Sequence, residues 1–260
     1  MSLESPDFKG DKKLEACLVD NNSNITYGTI GGHVLKIQNA LVKLGFNIKN
    51  EEMQHKIYGD STAKAVLQFK KDWEIINKNY QEKADNIVGK MTIKELDDAM
   101  RSNVYFTLPP APIVSQSNTY WCWAASLESW LTVSPRTQHN QQELMLMFTP
   151  WEDPHNGGLT PMGWGVVSTR FNLEARDFVP GSRLTAEFLH ARLRRNGFLL
   201  IVFNLAPGGP AHTNVIYGIR VRSSGSFVRV MDPQDPGQVV ERPLNYYSNR
   251  DFVGVLWAAQ

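Results

Sequence analysis

Three prolines in four positions, Pro109, Pro110 and Pro112, divide this chain. Proline fixes φ and carries no N–H, so neither a helix interior nor a central strand runs through such a stretch. A stiff, extended connection is favoured instead. Residues 103–115 therefore predict a boundary with a separate apolar core on each side. At 260 residues the chain has room for two such cores.

Before the boundary the apolar pattern is helical. Residues 1–30 are polar and poorly patterned, and Cys17 within them reads as a small packing residue. Val34, Leu35, Ile37, Gln38, Leu41, Val42, Leu44 and Phe46 then follow helical spacing, with a stop at Gly45. A second helix is predicted after Tyr58-Gly59, with Asp60 as N-cap and Ala63, Val66, Leu67, Phe69 and Trp73 as its buried stripe. A third is predicted near Thr92, where Thr92 and Glu95 have capping-box spacing.

Those residues fall into three ordered motifs. They are Leu35-x-x-Gln38-x-x-Leu41-x-x-Leu44-Gly45-Phe46, then Tyr58-Gly59-x-x-Thr62-x-x-Ala65-Val66-x-x-Phe69, then Asp85-x-Ile87-Val88-Gly89-x-x-Thr92-x-x-x-Leu96. Together they resemble the three-helix peptidoglycan-binding domain of bacteria. The resemblance implies peptidoglycan as a partner and targeting to the cell wall. The sequence departs from the family in an insertion, Glu74 to Lys83, and in Lys70, which stands where the family usually has glutamine.

After the boundary the order is helices, a loop-rich middle and then strands. Trp123 to Leu131 and Gln141 to Phe148 read as helices. Thr149 to Gly165, rich in Gly, Pro and Trp, reads as irregular structure able to wall a cleft. Leu184 to Asn196 is a helix stopped by Gly197, and Phe198 to Phe203 is an apolar run suited to a buried strand. Thr213 to Val221 and Phe227 to Met231 are strands joined by a hairpin, and Phe252 to Trp257 is a closing strand. Helices followed by antiparallel strands predict an α+β fold. The predicted organisation is a helical domain over 1–102, a linker over 103–115 and a second domain over 116–260.

Composition narrows the function. A net charge of +1 gives no electrostatic case for nucleic acid or an anionic membrane. Arg192, Arg194 and Arg195 cluster on one predicted helix and read as a solvated face. Two cysteines supply neither a disulfide framework nor a zinc set, and nothing calls for a cofactor or metal. No stretch is long and apolar enough to span a bilayer. The N-terminus lacks the apolar core of a secretory signal, which predicts synthesis in the cytoplasm and delivery or secretion by another route.

One cysteine then stands out. Cys122 lies at the predicted start of a helix, where the dipole and unpaired N–H groups favour a nucleophilic thiolate. Gln116, six residues earlier, has an amide that can donate to an oxyanion. A thiolate needs a base, and the base needs an orienting group. Of the 6 histidines, His33 and His55 lie in the first domain. His139, His155 and His190 lie in polar or helical settings without an apolar frame. His212 stands at a strand mouth, rigidly mounted and accessible. Across the hairpin lie Asp232 and Asp235. Counting around Ser224-Gly225 favours Asp235, whereas a bulge or longer turn brings Asp232 level.

Gln116, then Cys122-Trp123-Ala124, then His212 after a Gly-Gly loop, then Asp232-Pro233-x-x-x-Gly237 resembles the papain-like cysteine peptidases. The nearest branches are bacterial effector peptidases and domains that cut bacteriocin leaders. The resemblance implies a helix layer plus antiparallel sheet over roughly residues 110–260. It implies Cys122 as nucleophile, His212 as base and acid, Asp232 as orienting residue and Gln116 as oxyanion donor. In plant relatives an asparagine takes the place of Asp232. The expected protein is a bacterial peptidase that acts as a toxin or effector on a protein substrate, with a cognate immunity protein as a further partner. A peptidoglycan amidase or endopeptidase, or a glutamine deamidase, on the same fold is the alternative.

Overall fold

A computed structural model describes residues 2–73, 75–76, 82–101, 105–133, 138–153, 158–179, 184–222, 224–235 and 240–259. His155 and most of the Glu74 to Lys83 insertion lie outside them. The chain forms two compact units, Met1–Asn103 and Val104–Gln260.

The first unit opens with structure where the sequence reads as unpatterned. Helix α1, Lys12–Val19, starts at Asp11, whose carboxylate accepts the N–H groups of Lys13 and Leu14. Leu14 and Cys17 are fully buried, as is Phe8. The apolar spacing is present but is masked by intervening lysines and glutamate. Asp97 completes the attachment by accepting the N–H groups of Glu4 and Ser5. Helix α2, Gly32–Lys43, buries Val34, Ile37 and Leu41. The chain turns beyond it at Gly45, whose φ of 82° suits glycine.

Helix α3, Asn50–Gln54, is short and was not legible in the pattern. Its Glu52 carboxylate accepts the N–H groups of Ser61 and Thr62 at 2.8 and 2.9 Å. That remote carboxylate caps helix α4, Asp60–Asp72, and Asp60 is the first helical residue rather than the cap. Helix α5, Lys90–Met100, likewise begins after Gly89 without a capping box. Thr92 is buried inside its first turn. Lys70, the departure from the family pattern, is buried and paired with Asp85 at 2.5 Å.

In the second unit, strand β1, Tyr105–Thr107, pairs antiparallel with a later strand, so the sheet begins before the prolines. Ala111 is in the core, and the Pro112 carbonyl accepts the Ser129 hydroxyl at 2.6 Å. From Tyr105 onward the expected linker is therefore part of this unit. Helix α6, Cys122–Val133, and helix α7, Gln141–Phe148, follow. Asn140 and Glu143 form a capping box at the start of α7. Helix α8, Pro161–Phe171, interrupts the stretch expected to be irregular. Its start signal was plain: Thr160 caps it, and proline stands at the first helical position. Strand β2, Leu173–Phe178, precedes helix α9, Ala186–Asn196. Strands β3, Leu199–Asn204, β4, Ala211–Arg222, β5, Gly225–Met231, and β6, Val240–Pro243, come next. Helix α10, Asn245–Ser248, and strand β7, Val253–Ala258, close the chain.

The sheet runs β2-β7-β3-β4-β5-β6, with β1 also on β4, and every pairing is antiparallel. Both faces are covered. Leu200 and Val202 of β3 pack with Trp123, Leu127 and Trp130 of α6, while Leu199, Ile201 and Phe203 pack with Phe188, Leu189 and Leu193 of α9. Alternate residues thus enter two cores, which is why β3 reads as an unbroken apolar run. Each large apolar side chain buried on α6 contributes roughly 1.5–3 kcal/mol. Arg192 does not belong to a solvated face: it is fully buried, 3.9 Å above the Trp257 ring. Among the described residues no helix is long and apolar enough to cross a membrane.

Candidate active site

Helix α6 begins at Cys122, so the helix leaves the N–H of this residue without an intrahelical acceptor. The helix is pinned to the sheet by side chains. The Ser126 hydroxyl donates to the Thr213 carbonyl at 2.8 Å, and Trp130 Nε1 donates to the Phe198 carbonyl at 2.8 Å. Thr213 follows His212 on β4, so this bond fixes the spacing between thiol and imidazole. The Cys122 Sγ lies 3.8 Å from the Ala211 carbonyl, on the other side of His212.

His212 is 1% exposed, not accessible as its place at a strand mouth suggests. Its Nε2 is 2.8 Å from Asp232 Oδ1. Its Nδ1 is buried without a partner at ordinary hydrogen-bond geometry, and the Cys122 sulfur is near enough to act on the ring. The Phe203 ring stands edge-on to the imidazole, with centroids 5.5 Å apart. Burial alone would lower the proton affinity of the ring. The Asp232 carboxylate and the nearby Cys122 thiol outweigh it and hold the pKa up at about 9. Burial would raise Asp232, but His212, the Gln234 N–H and Arg242 hold its carboxyl at about 2. A neutral imidazole that donates from Nε2 keeps Nδ1 free to accept a proton.

Of the two aspartates after the hairpin, Asp232 is the one on His212. Pairs Arg222↔Gly225 to Gly218↔Arg229 hold one register, and a bulge between Ile216 and Gly218 shifts the next pairs, Ile216↔Val230 and Val215↔Met231, by one residue. Asp232 thus lies beyond the last pair and reaches His212 diagonally. Asp235 is exposed in the turn after it, with its N–H on the Asp232 carbonyl.

Gln116 sits at the edge of this group through its backbone, whose N–H donates to the Pro233 carbonyl at 3.1 Å. Its side-chain Nε2 donates to the carbonyls of Asn118 and Thr119, at 3.0 and 2.8 Å. The amide is thus engaged by its own loop. His190 is remote from this chemistry: it is buried against Phe106, and burial and Arg194 push its pKa down to about 4.

Four residues here were not anticipated. Arg242 on β6 donates to Asp232 Oδ2. Asn214 places its amide 3.3 Å from His212 Nε2 and accepts the Tyr247 hydroxyl at 3.0 Å. Gln141 accepts the Ser117 N–H and donates to the Ser115 carbonyl, which holds the loop that carries Gln116. Asn214 was legible, since it lies two residues from His212 on one strand face. Arg242 was not, because its short strand shows no pattern.

A family model described as the papain-like cysteine protease AvrRpt2 matches residues 106–252. The chain belongs to this family. It is a cysteine peptidase, and its helices and antiparallel sheet form the α+β arrangement that the resemblance implied. Similar solved structures include a C39-like peptidase from Bacillus anthracis, at 13% identity and a TM-score of 0.43, covering 60% of this chain and 98% of that one. Another is the peptidase domain of Streptococcus ComA, at 14% identity and a TM-score of 0.39, covering 57% and 99%. These likenesses are distant. No curated protein matches the chain.

Proposed function

We propose that this peptidase cleaves a protein target through Cys122, His212 and Asp232, by way of a thioester. His212 Nδ1 takes the thiol proton while Nε2–H stays on Asp232. The thiolate attacks the amide carbonyl carbon, forming a C–S bond and an oxyanion. Collapse of that intermediate breaks the C–N bond, and the imidazolium gives its proton to the leaving amine. Water then attacks the thioester, loses a proton to Nδ1 and releases the acid and the thiol. The Cys122 N–H and the Gln116 amide are the oxyanion donors in this reading. To serve, Gln116 gives up one of its two loop carbonyls when substrate binds.

The observation that carries the reading is a buried imidazole anchored at Nε2, unpartnered at Nδ1 and next to a thiol at a helix start. An epoxide peptidase inhibitor that alkylates thiolates tests it. Stoichiometric labelling of Cys122, lost in His212→Ala, is expected; equal labelling of the variant contradicts the triad.

The helical unit serves targeting to peptidoglycan, and the whole acts as a bacterial toxin or effector, held in check by an immunity protein in its producer. Co-sedimentation of the full Cys122→Ala chain with purified sacculi tests the targeting. Growth of cells expressing active or Cys122→Ala protein tests toxicity. Equal growth of the two strains contradicts the toxin role.

A further inference from the structure

The Asp232 carboxylate is hydrogen-bonded on both oxygens. Oδ1 accepts from His212 Nε2 at 2.8 Å and from the Gln234 N–H at 3.1 Å, and Oδ2 accepts from the Arg242 guanidinium. Arg242 is itself held, with its guanidinium carbon 4.8 Å from the Tyr246 ring centre. The side chain is 24% exposed and that of Asp232 is 3% exposed, so solvent screens this pair only in part.

We propose that Arg242 is a positioning residue that compensates the charge of Asp232, so that His212 faces a net-neutral acceptor. The inference rests on the triad reading above. An uncompensated buried carboxylate would hold the imidazolium tightly and oppose release of its proton to the leaving amine. A carboxylate paired with a guanidinium presents an oxygen in fixed geometry without a full net charge. The bidentate-capable, permanently charged guanidinium suits this task.

Other groups near the ring are constant across the test. The Cys122 thiol approaches from α6. Tyr247 from α10 donates to Asn214 rather than to Asp232. Arg250 lies over Tyr246 and Phe203, at 4.6 and 5.9 Å, and donates to the carbonyls of Leu205 and Tyr246.

The pairing makes a prediction that a merely structural arginine does not. In Asp232→Asn alone, the guanidinium is left as an uncompensated cation beside the imidazolium. In Asp232→Asn with Arg242→Gln, both charges are gone and neutrality returns. The readout is the rate of alkylation of Cys122 by iodoacetamide against pH, followed by mass spectrometry on the full chain, with thermal melts to verify folding. Asp232→Asn is expected to slow alkylation at pH 7 by at least about tenfold, and adding Arg242→Gln is expected to recover at least about fivefold. Arg242→Gln alone removes a cation, so both inflections of the profile move to higher pH, by on the order of one pH unit. Arg242→Lys keeps the charge and leaves them in place. Should Arg242→Gln not fold, Arg242→Met keeps the aliphatic stem and takes its place.

A double variant as slow as Asp232→Asn, or unmoved inflections in Arg242→Gln, overturns the proposal. His212→Ala separates the two levels. If it alkylates as fast as the unaltered chain, the triad itself is wrong, whatever Arg242 does.

Discussion

Replacing Asp232 by alanine removes the acceptor of His212 Nε2 and the partner of Arg242 together. The structure sets the size of the effect. His212 has a pKa of about 9 with the carboxylate beside it, against an ordinary 6.5. At pH 7.5 those values correspond to roughly 97% and roughly 9% imidazolium, so a full return to 6.5 would lower the charged ring about tenfold; Asp232 supplies part of the rise and Cys122 the rest. Burial and the uncompensated Arg242 push further in the same direction. Loss of ring orientation adds to it, and removing the orienting acid of a catalytic triad elsewhere costs about 10⁴. We therefore expect turnover to fall between about 10² and 10⁴-fold. Stability should drop by on the order of 2–3 kcal/mol, because a partly buried guanidinium loses its partner. Peptide hydrolysis at pH 7.5 and iodoacetamide alkylation of Cys122 measure the two losses separately, and a thermal melt measures the third. Asp235→Ala, in the exposed turn, serves as the control and should change none of them. If Asp232→Ala stays within a factor of three of the unaltered chain, or if Asp235→Ala does equal damage, the orienting role belongs elsewhere.

Gln116→Ala should lower kcat on the order of 10²-fold, as loss of an oxyanion donor does. A change confined to KM would make Gln116 a substrate-binding residue held by its loop. A chain beginning at Val104 should fold and cleave small peptides, since β1 and all of the sheet remain. Loss of its cooperative melt would show that the units depend on each other. The pH dependence of stability follows from the dyad. His212 is raised to about 9 from 6.5, so its contribution is complete below 6.5 and is lost as pH rises through about 9. Asp232 is lowered to about 2 from 3.8, so its contribution is present above 3.8 and is lost as pH falls towards 2. Melting temperature should decline between pH 6.5 and 9 in the unaltered chain, and less steeply in His212→Asn. Equal slopes in the two proteins would contradict this assignment.

The elements with one strong period were legible in the sequence: α2, α4, α9, β3 and the β4–β5 hairpin. What failed was local chemistry supplied from a distance. The cap of α4 comes from Glu52 on α3, which no window around Asp60 contains. The bulge between Ile216 and Gly218 shifts the hairpin register by only one residue, and His212 reaches Asp232 diagonally, so counting of level pairs pointed to Asp235 while the hydrogen bond is made by Asp232. The sheet also begins at Tyr105, before the prolines that marked the boundary, because a three-residue strand shows no alternation. At the site, Cys122, His212 and Asp232 carried chemistry in their residue types. Arg242 did not, since an arginine on a short edge strand looks like any solvated cation until its partner is seen.

The account stands most directly on the identity of the nucleophile. Cells expressing the active chain or its Cys122→Ala variant can be compared by mass spectrometry of newly formed protein N-termini. New termini at a restricted set of sequences, present with the active chain and absent with Cys122→Ala, are the predicted result. The same termini in both samples would show that Cys122 does not form the thioester, and the mechanism proposed here would fall.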